Sequence, residues 1–202
     1  MLRTEITPAH IMPMADYGAR RTELRRESIA RKKYRRLPIG PHAMLYFENF
    51  ATMLAQVHEM LFIERGGEDQ LADELAAYNP LVPNGRELVA TLMFEIEDEG
   101  RRQTILAGLG GVEHQVCLML GDQRIAAIPE KDLDRTTAEG KASSVQFLHF
   151  PFSDSQIAAF RDPSVKVAVA IEHPAYGHAA VMPEPVRQAL AEDFAPDFDC
   201  QP

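Results

Sequence analysis

Cysteine is scarce in this chain: Cys117 and Cys200 are the whole complement, they stand far apart, and neither belongs to a C-x-x-C pair. A disulfide framework, a zinc ribbon and a cysteine-held cluster are thereby excluded as features of the chain itself, and a reducing cytoplasm is the expected compartment. Long apolar runs are missing too. No 18 consecutive apolar residues occur, and Met1 to Ile11 carries Arg3, Glu5 and His10 in place of an apolar stretch, so neither a membrane span nor secretion is expected. There is no G-x-S-x-G elbow to present a nucleophilic serine, although Ser143, Ser144 and His149 could be assembled into a triad on paper. No Gly-Lys-Ser/Thr follows the one glycine-rich stretch, Gly108-Leu109-Gly110-Gly111, which reads as the end of a helix and not as a phosphate loop. Internal repeats and low-complexity linkers are absent.

What is present is an ordinary globular composition, 46% hydrophobic and 25% charged over 202 residues. That suits one domain, residues 1–202, able to bury roughly 70% of its unfolded surface. The charge is unevenly spread. Between Arg20 and Arg36 nine basic residues (Arg20, Arg21, Arg25, Arg26, Arg31, Lys32, Lys33, Arg35 and Arg36) meet only Glu23 and Glu27, a local +7 that leaves −16 on the rest of a chain whose total is −9. Clustered arginine and lysine on a helix is the electrostatic footprint of phosphate binding. Yet no recognition-helix pattern, RNA-binding aromatic motif or zinc finger accompanies it, and a body at −16 repels a polyanion. Docking is the stronger expectation for these residues, onto the chain's own body, a sister subunit or another protein; nucleic acid is the weaker one.

Residues 14–36 hold no proline and one glycine among good helix formers, which predicts a long basic helical arm with a thin apolar stripe of Tyr17, Leu24 and Ile29. Leu37-Pro38-Ile39-Gly40-Pro41 stops it. From Phe50 to Arg65 the residues Phe50, Met53, Leu54, Val57, Met60 and Leu61 share one helical face, with Asn49 as N-cap and Gly66-Gly67 as stop. A shorter helix, Glu68 to Tyr78, ends before Asn79-Pro80. Beyond the turn-rich residues 79–85 the period falls from 3.6 to 2. Strands are predicted at Leu88–Ile96, on either side of the Gly121-Asp122 turn (Val116–Leu120 and Gln123–Ile128), at Val145–Phe152 and at Val165–Ile171. Short helices are predicted at Gly100–Gly108, Ser153–Phe160 and Pro183–Phe194, and residues 195–202 as a loose tail. The expected fold is α+β, a helical N-terminal part packed on an antiparallel or mixed sheet of about five strands.

Histidine and carboxylate placement offers a candidate metal site, for iron or zinc. His173 and His178 lie in the segment Glu172-His173-Pro174-Ala175-Tyr176-Gly177-His178, just past an apolar strand, and His149 on another strand could supply a third ligand, with Glu172 or Glu59 as a fourth ligand or general base. The spacing is not that of a metalloprotease helix, and two histidines beside a proline turn also suit plain hydrogen bonding. A diiron centre is not expected: Glu48 and Glu59, read on one helix, would be ~16 Å apart along its axis. Glu59, away from the apolar stripe and beside Phe62 and Ile63, is expected to face a partner or pocket. Cys117 reads as a small core residue, and Cys200 as an exposed thiol.

Taken together, Phe47-Glu48-Asn49-Phe50, Gln56-Val57-His58-Glu59-Met60-Leu61, Asp73 to Pro83 and His173-Pro174-Ala175-Tyr176 resemble an uncharacterised bacterial domain-of-unknown-function family, with the likeness running from Thr7 to Phe194. Members of that family are often encoded beside rubrerythrin-like proteins and cysteine-rich iron–sulfur oxidoreductases, so the resemblance implies a redox or peroxide-defence setting. Since this chain lacks cysteine pairs, a cluster or diiron centre would belong to its partners. Three readings follow: an accessory protein that docks onto an iron-dependent redox partner, a small metal-dependent enzyme using the histidines above, and an anion or nucleic-acid binder acting through the basic arm. Whether the chain is an enzyme, and whether it forms a homo-oligomer, stay open at this point.

Overall fold

The computed structural model describes residues 2–130 and 141–195. After a short turn at Pro8–His10 the elements run α1 (Met14–Lys32), β1 (Arg36–Ile39), β2 (Ala43–Glu48), α2 (Phe50–Glu64), α3 (Gly67–Tyr78), β3 (Glu87–Phe94) and α4 (Glu99–Ala107). They continue as β4 (Val116–Leu120), β5 (Gln123–Ala126), β6 (Ile128–Pro129), β7 (Val145–Pro151), α5 (Asp154–Arg161), β8 (Val167–His173), β9 (Tyr176–Val181) and α6 (Glu184–Ala191). Among the described residues there are two fully antiparallel sheets, one ordered β1-β2-β3-β7-β6 and the other β5-β4-β8-β9.

The α+β expectation holds, with the helices mostly N-terminal; the strands among the described residues number nine, in sheets of five and four. Strand alternation explains the layering. In β2, β3 and β7 one set of side chains (Leu45, Phe47, Leu88, Leu92, Leu148, Phe150) enters a core shared with Leu118, Val169 and Ile171 of the second sheet, as a period of two requires. The opposite face of the first sheet carries Val89 and Phe147 into a second, smaller core beneath α2 and α3, with Met53, Val57, Leu61 and Leu81. Predicted strand 123–128 is split at Ala127, so that β5 and β6 serve different sheets.

The predicted arm 14–36 also divides. The helix ends at Lys32, and Arg36 to Ile39 form an edge strand, where Pro38 is tolerated because an edge position needs no donor there. Arg35 between them is 4% exposed. Its guanidinium donates to Phe47 O, Glu48 O and Ala189 O and pairs with Asp193, whose carboxyl burial pushes up while Arg35 pulls it down. It is a tie between β2 and α6, and is withdrawn from the set of docking residues. The N-cap at Asn49 is as expected, its side chain accepting from Ala51 N and Thr52 N. The stop after α2 falls on Arg65 in the left-handed region (φ 56°), with Gly67 already opening α3. Gly108 follows α4 as its C-cap. The C-terminal tail from residue 196, with Cys200, lies outside the described residues.

Candidate functional site

The two halves of α1 meet the body differently. In the first half Tyr17 is buried and lies flat on the His58 ring of α2 (centroids 5.0 Å, planes 12° apart). Its hydroxyl donates to Glu59 Oε1 at 2.6 Å, and Arg21 grips the same carboxylate through Nε at 3.0 Å and Nη2 at 2.8 Å. Below it, the Arg21 guanidinium sits 4.9 Å from the Phe62 ring centre. Close approach needs Gly18, since a Cβ there would stand 2.8 Å from the Phe62 ring. The Arg21 hydrogen bond holds the Glu59 carboxyl at about 2, and burial together with Glu59 raises the Tyr17 phenol far above its usual value. His58 accepts at Nε2 from Met12 N–H (2.9 Å), which places its ring proton on Nδ1, and burial lowers its pKa. Glu59 is held between α1 and α2 in a charge-assisted clasp.

The second half of α1 stands off. Between it, the first turns of α2 and residues 9–12 opens a groove of about 760 Å³. Ile11, Phe50, Leu54 and Ile29 supply apolar surface, and Arg3, Arg25, Arg31 and Lys32 line it with positive charge. Among the described residues none of those four cations forms a salt bridge. Ile29 is 69% exposed, an apolar side chain set among cations on an otherwise polar helix. A concave, mostly apolar surface with a few charges at its edge is the usual form of a binding site.

The predicted metal ligands are not brought together. Among the described residues no three His, Cys, Asp or Glu side chains stand close enough to hold a metal ion. His149 is in the first sheet, opposite Val89 and Ile128, and its two ring nitrogens meet Glu87 and Glu130, each at 3.1 Å. Those carboxylates hold its pKa above the usual value, the Glu87 hydrogen bond most strongly. His173 and His178 belong to the β8–β9 hairpin of the other sheet. His173 accepts from Ala175 N–H at Nδ1 and donates to Gly110 O from Nε2; His178 packs against Tyr176 and over Gly40. Glu172 pairs with Arg124 at 2.7 Å on the exposed side of that sheet. Cys117 is a buried core residue, its thiol pushed up by burial.

The residue that organises the hairpin is Tyr176, absent from the candidate set. Its hydroxyl donates to Ile39 O (2.8 Å) and accepts from His42 N (2.9 Å) and Ala43 N (3.0 Å), fastening the β1–β2 turn to the second sheet. Of the basic residues proposed for docking, Arg20 pairs with Glu23 and Arg21 with Glu59. Arg25, Arg26, Lys32, Lys33 and Arg36 form no salt bridge among the described residues, Lys33 lying 5.2 Å from the Tyr34 ring centre. His10, whose ring meets Phe50 edge-on at 5.0 Å, and Arg3 also border the groove; a sequence scan passes over both because the contact joins the N-terminal segment to a distant helix. No helix of the described residues is long and apolar enough to cross a membrane.

No curated protein matches the chain. A crystal structure of a protein of unknown function from Burkholderia pseudomallei K96243 is similar over 94% of this chain and 99% of its own, with 37% sequence identity and a TM-score of 0.87. A family model described as protein of unknown function, DUF3501, matches residues 5–194, and the chain belongs to that family.

Proposed function

We propose that this protein is a binding partner and not a catalyst: it offers the α1–α2 groove to an acidic, partly apolar segment of another protein, the iron-dependent redox protein that the family resemblance implies. The observation that supports this reading is the groove itself, where Arg3, Arg25, Arg31 and Lys32 surround exposed Ile29 and the Phe50 and Leu54 floor, against two lining acids, Glu27 and Glu59, the second of which is already held by Arg21. Cations that form no salt bridge next to apolar surface favour a ligand that brings both carboxylates and apolar side chains. The acidic remainder of the chain, at −16 against the +7 of residues 20–36, works against a long polyanion while leaving a short acidic segment free to be steered in.

The test has two arms. Co-purification of the full chain from its native host at low salt is expected to enrich a redox protein over a control, and that enrichment is expected to fall as salt is raised through a few hundred millimolar. Titration with an amphipathic acidic peptide is expected to show salt-dependent binding, with DNA and RNA of similar length bound more weakly. Enrichment of no redox protein overturns the partner's identity. Failure of the acidic peptide, or tighter binding of nucleic acid, overturns the groove's role.

A further inference from the structure

A second cleft lies on the other side of Lys32, on the outer face of the first sheet, and it is polarised in the opposite sense. Glu48, the last residue of β2, is 6% exposed and yet lines a cavity of about 490 Å³. Its Oε2 accepts from Thr52 Oγ1 at 2.6 Å and its Oε1 from Thr91 Oγ1 at 2.9 Å. No lysine, arginine or histidine pairs with it among the described residues; Arg35 nearby donates to its backbone carbonyl only. A carboxylate offers about four acceptor sites, so two hydroxyl donors leave acceptor capacity on both oxygens. Met53, Leu81, Met93 and Phe147 form apolar walls, and Tyr46 and Tyr78 supply aromatic ones.

We propose that this cleft is a binding site for a small organic amine, an ammonium group carried on an apolar or aromatic body. A buried carboxylate without a counter-ion is costly, and a hydrogen-bonding cation relieves that cost most directly. A metal ion fits poorly, since among the described residues Glu48 belongs to no group of three histidine, cysteine or carboxylate side chains that could hold one, and hard cations take many oxygen ligands. An anionic ligand is disfavoured by the carboxylate at the base of the cleft. The two threonines fix the carboxylate, one from the strand and one from the first turn of α2, so the acceptor is preorganised and not mobile. The cavity suits a compound of modest size with its amine inward. Lys32, the rim residue shared with the groove above, would repel a second positive group at the mouth, which points to monoamines. This assignment is independent of protein docking in the α1–α2 groove.

The probe is phenethylamine, set against two compounds of the same shape: 2-phenylethanol, neutral, and 3-phenylpropionate, of opposite charge. Titration of the full chain, followed by calorimetry or amide chemical shifts, is expected to show the amine binding at least about ten-fold more tightly than either control, the range a hydrogen bond to a charged group provides. Glu48→Gln is expected to erase the preference for the amine over the alcohol. Met93→Trp, which narrows the cleft without touching the carboxylate and changes a side chain outside the buried core, is expected to abolish binding of all three; it serves as the second variant should Glu48→Gln fail to fold. Equal binding of amine and alcohol by the native chain, no binding of the amine at millimolar concentration, or an amine preference that survives both variants overturns the assignment.

Discussion

The β8–β9 hairpin and the α1–α2 groove both drew attention as clusters of polar residues, and they use those residues in opposite ways. In the hairpin the polar groups Tyr176, His173 and Glu172 are matched within the fold. Tyr176 makes three hydrogen bonds to the β1–β2 turn, His173 bridges Ala175 and Gly110, and Glu172 is matched by Arg124. In the groove the polar groups split along one helix: Tyr17 and Arg21 are spent on Glu59, while Arg25 and Arg31 one and three turns on form no salt bridge among the described residues. Residue type alone therefore says little about function. A satisfied histidine or arginine is architecture, and an unsatisfied one at the edge of a concavity is a candidate for binding.

The contrast breaks most visibly at the hairpin. Gly40 holds φ +67°, and a Cβ there would stand 2.6 Å from the His178 ring and 2.9 Å from the Tyr176 hydroxyl. Gly40→Ala is expected to destabilise by about 2–4 kcal/mol, adding left-handed backbone strain to a clash in a packed turn. Tyr176→Phe is expected to cost about 2–3 kcal/mol, because it leaves the His42 and Ala43 N–H groups without an acceptor. Denaturant unfolding measures both. Losses below about 1 kcal/mol would mean that the hairpin is not the structural fastener described here.

The clasp in the first half of α1 is of intermediate weight. A double-mutant cycle of Arg21→Ala with Glu59→Ala is expected to show a coupling of about 1–2 kcal/mol, since the pair is bidentate and its side chains are only 31% and 22% exposed. Its pH dependence follows from the lowered carboxyl. A depressed carboxylate contributes stability above its unfolded value, the ordinary carboxylate range, and loses it as pH falls through the folded value of about 2. Glu59→Gln is expected to remove that acid-side slope.

His149 behaves in the opposite direction. Its pKa is raised, first by the Glu87 hydrogen bond and then by Glu130, so its contribution is fully present below the ordinary histidine value near 6.5 and is lost as pH climbs through the higher folded value. A loss of stability above that value in the native chain, and a flatter profile in His149→Gln, are the expected results of unfolding series at several pH values. An identical slope in the variant would assign the effect to another group.

Much of the helical part was legible in the sequence, and the reasons are local. The 3.6-residue period of Phe50, Met53, Leu54, Val57 and Leu61, with Asn49 as cap, depends on neighbours within a few positions. Gly121-Asp122 likewise marks the β4–β5 turn, with Gly121 at φ 55°. What escaped was decided at long range. β1 and β2 flank a proline-rich turn and were hidden between two helices, although Leu45 and Phe47 alternate with Met44 and Tyr46. β9, Tyr-Gly-His-Ala-Ala-Val, has almost no strand-forming bias and exists because β8 pairs with it. Glu48, assigned to a helix, closes β2 and faces Thr91, 43 positions away. The cluster of cations was visible, yet which of them are spoken for depends on Arg21 finding Glu59 at a separation of 38.

The smallest expected effect on stability belongs to the most informative substitution. Arg25 and Arg31 are exposed, carry no salt bridge among the described residues, and lie on the far half of α1 from the Tyr17–Glu59–Arg21 clasp. Replacing both with Glu breaks no salt bridge among the described residues. The stability is expected to change by no more than about 0.5 kcal/mol per site, and helicity is expected to stay near that of the native chain. Binding of an acidic peptide, in contrast, is expected to weaken at least about ten-fold, with most of its salt dependence gone, because two charges are reversed at the mouth of the groove. A charge reversal confined to Arg20, whose partner Glu23 lies on the same helix away from the groove, is the control expected to leave binding within about two-fold of the native value. If both variants weaken binding equally, the general charge of α1 attracts the peptide and the groove has no special role. If only the Arg25 and Arg31 variant does, the unclasped half of the helix is where the partner sits.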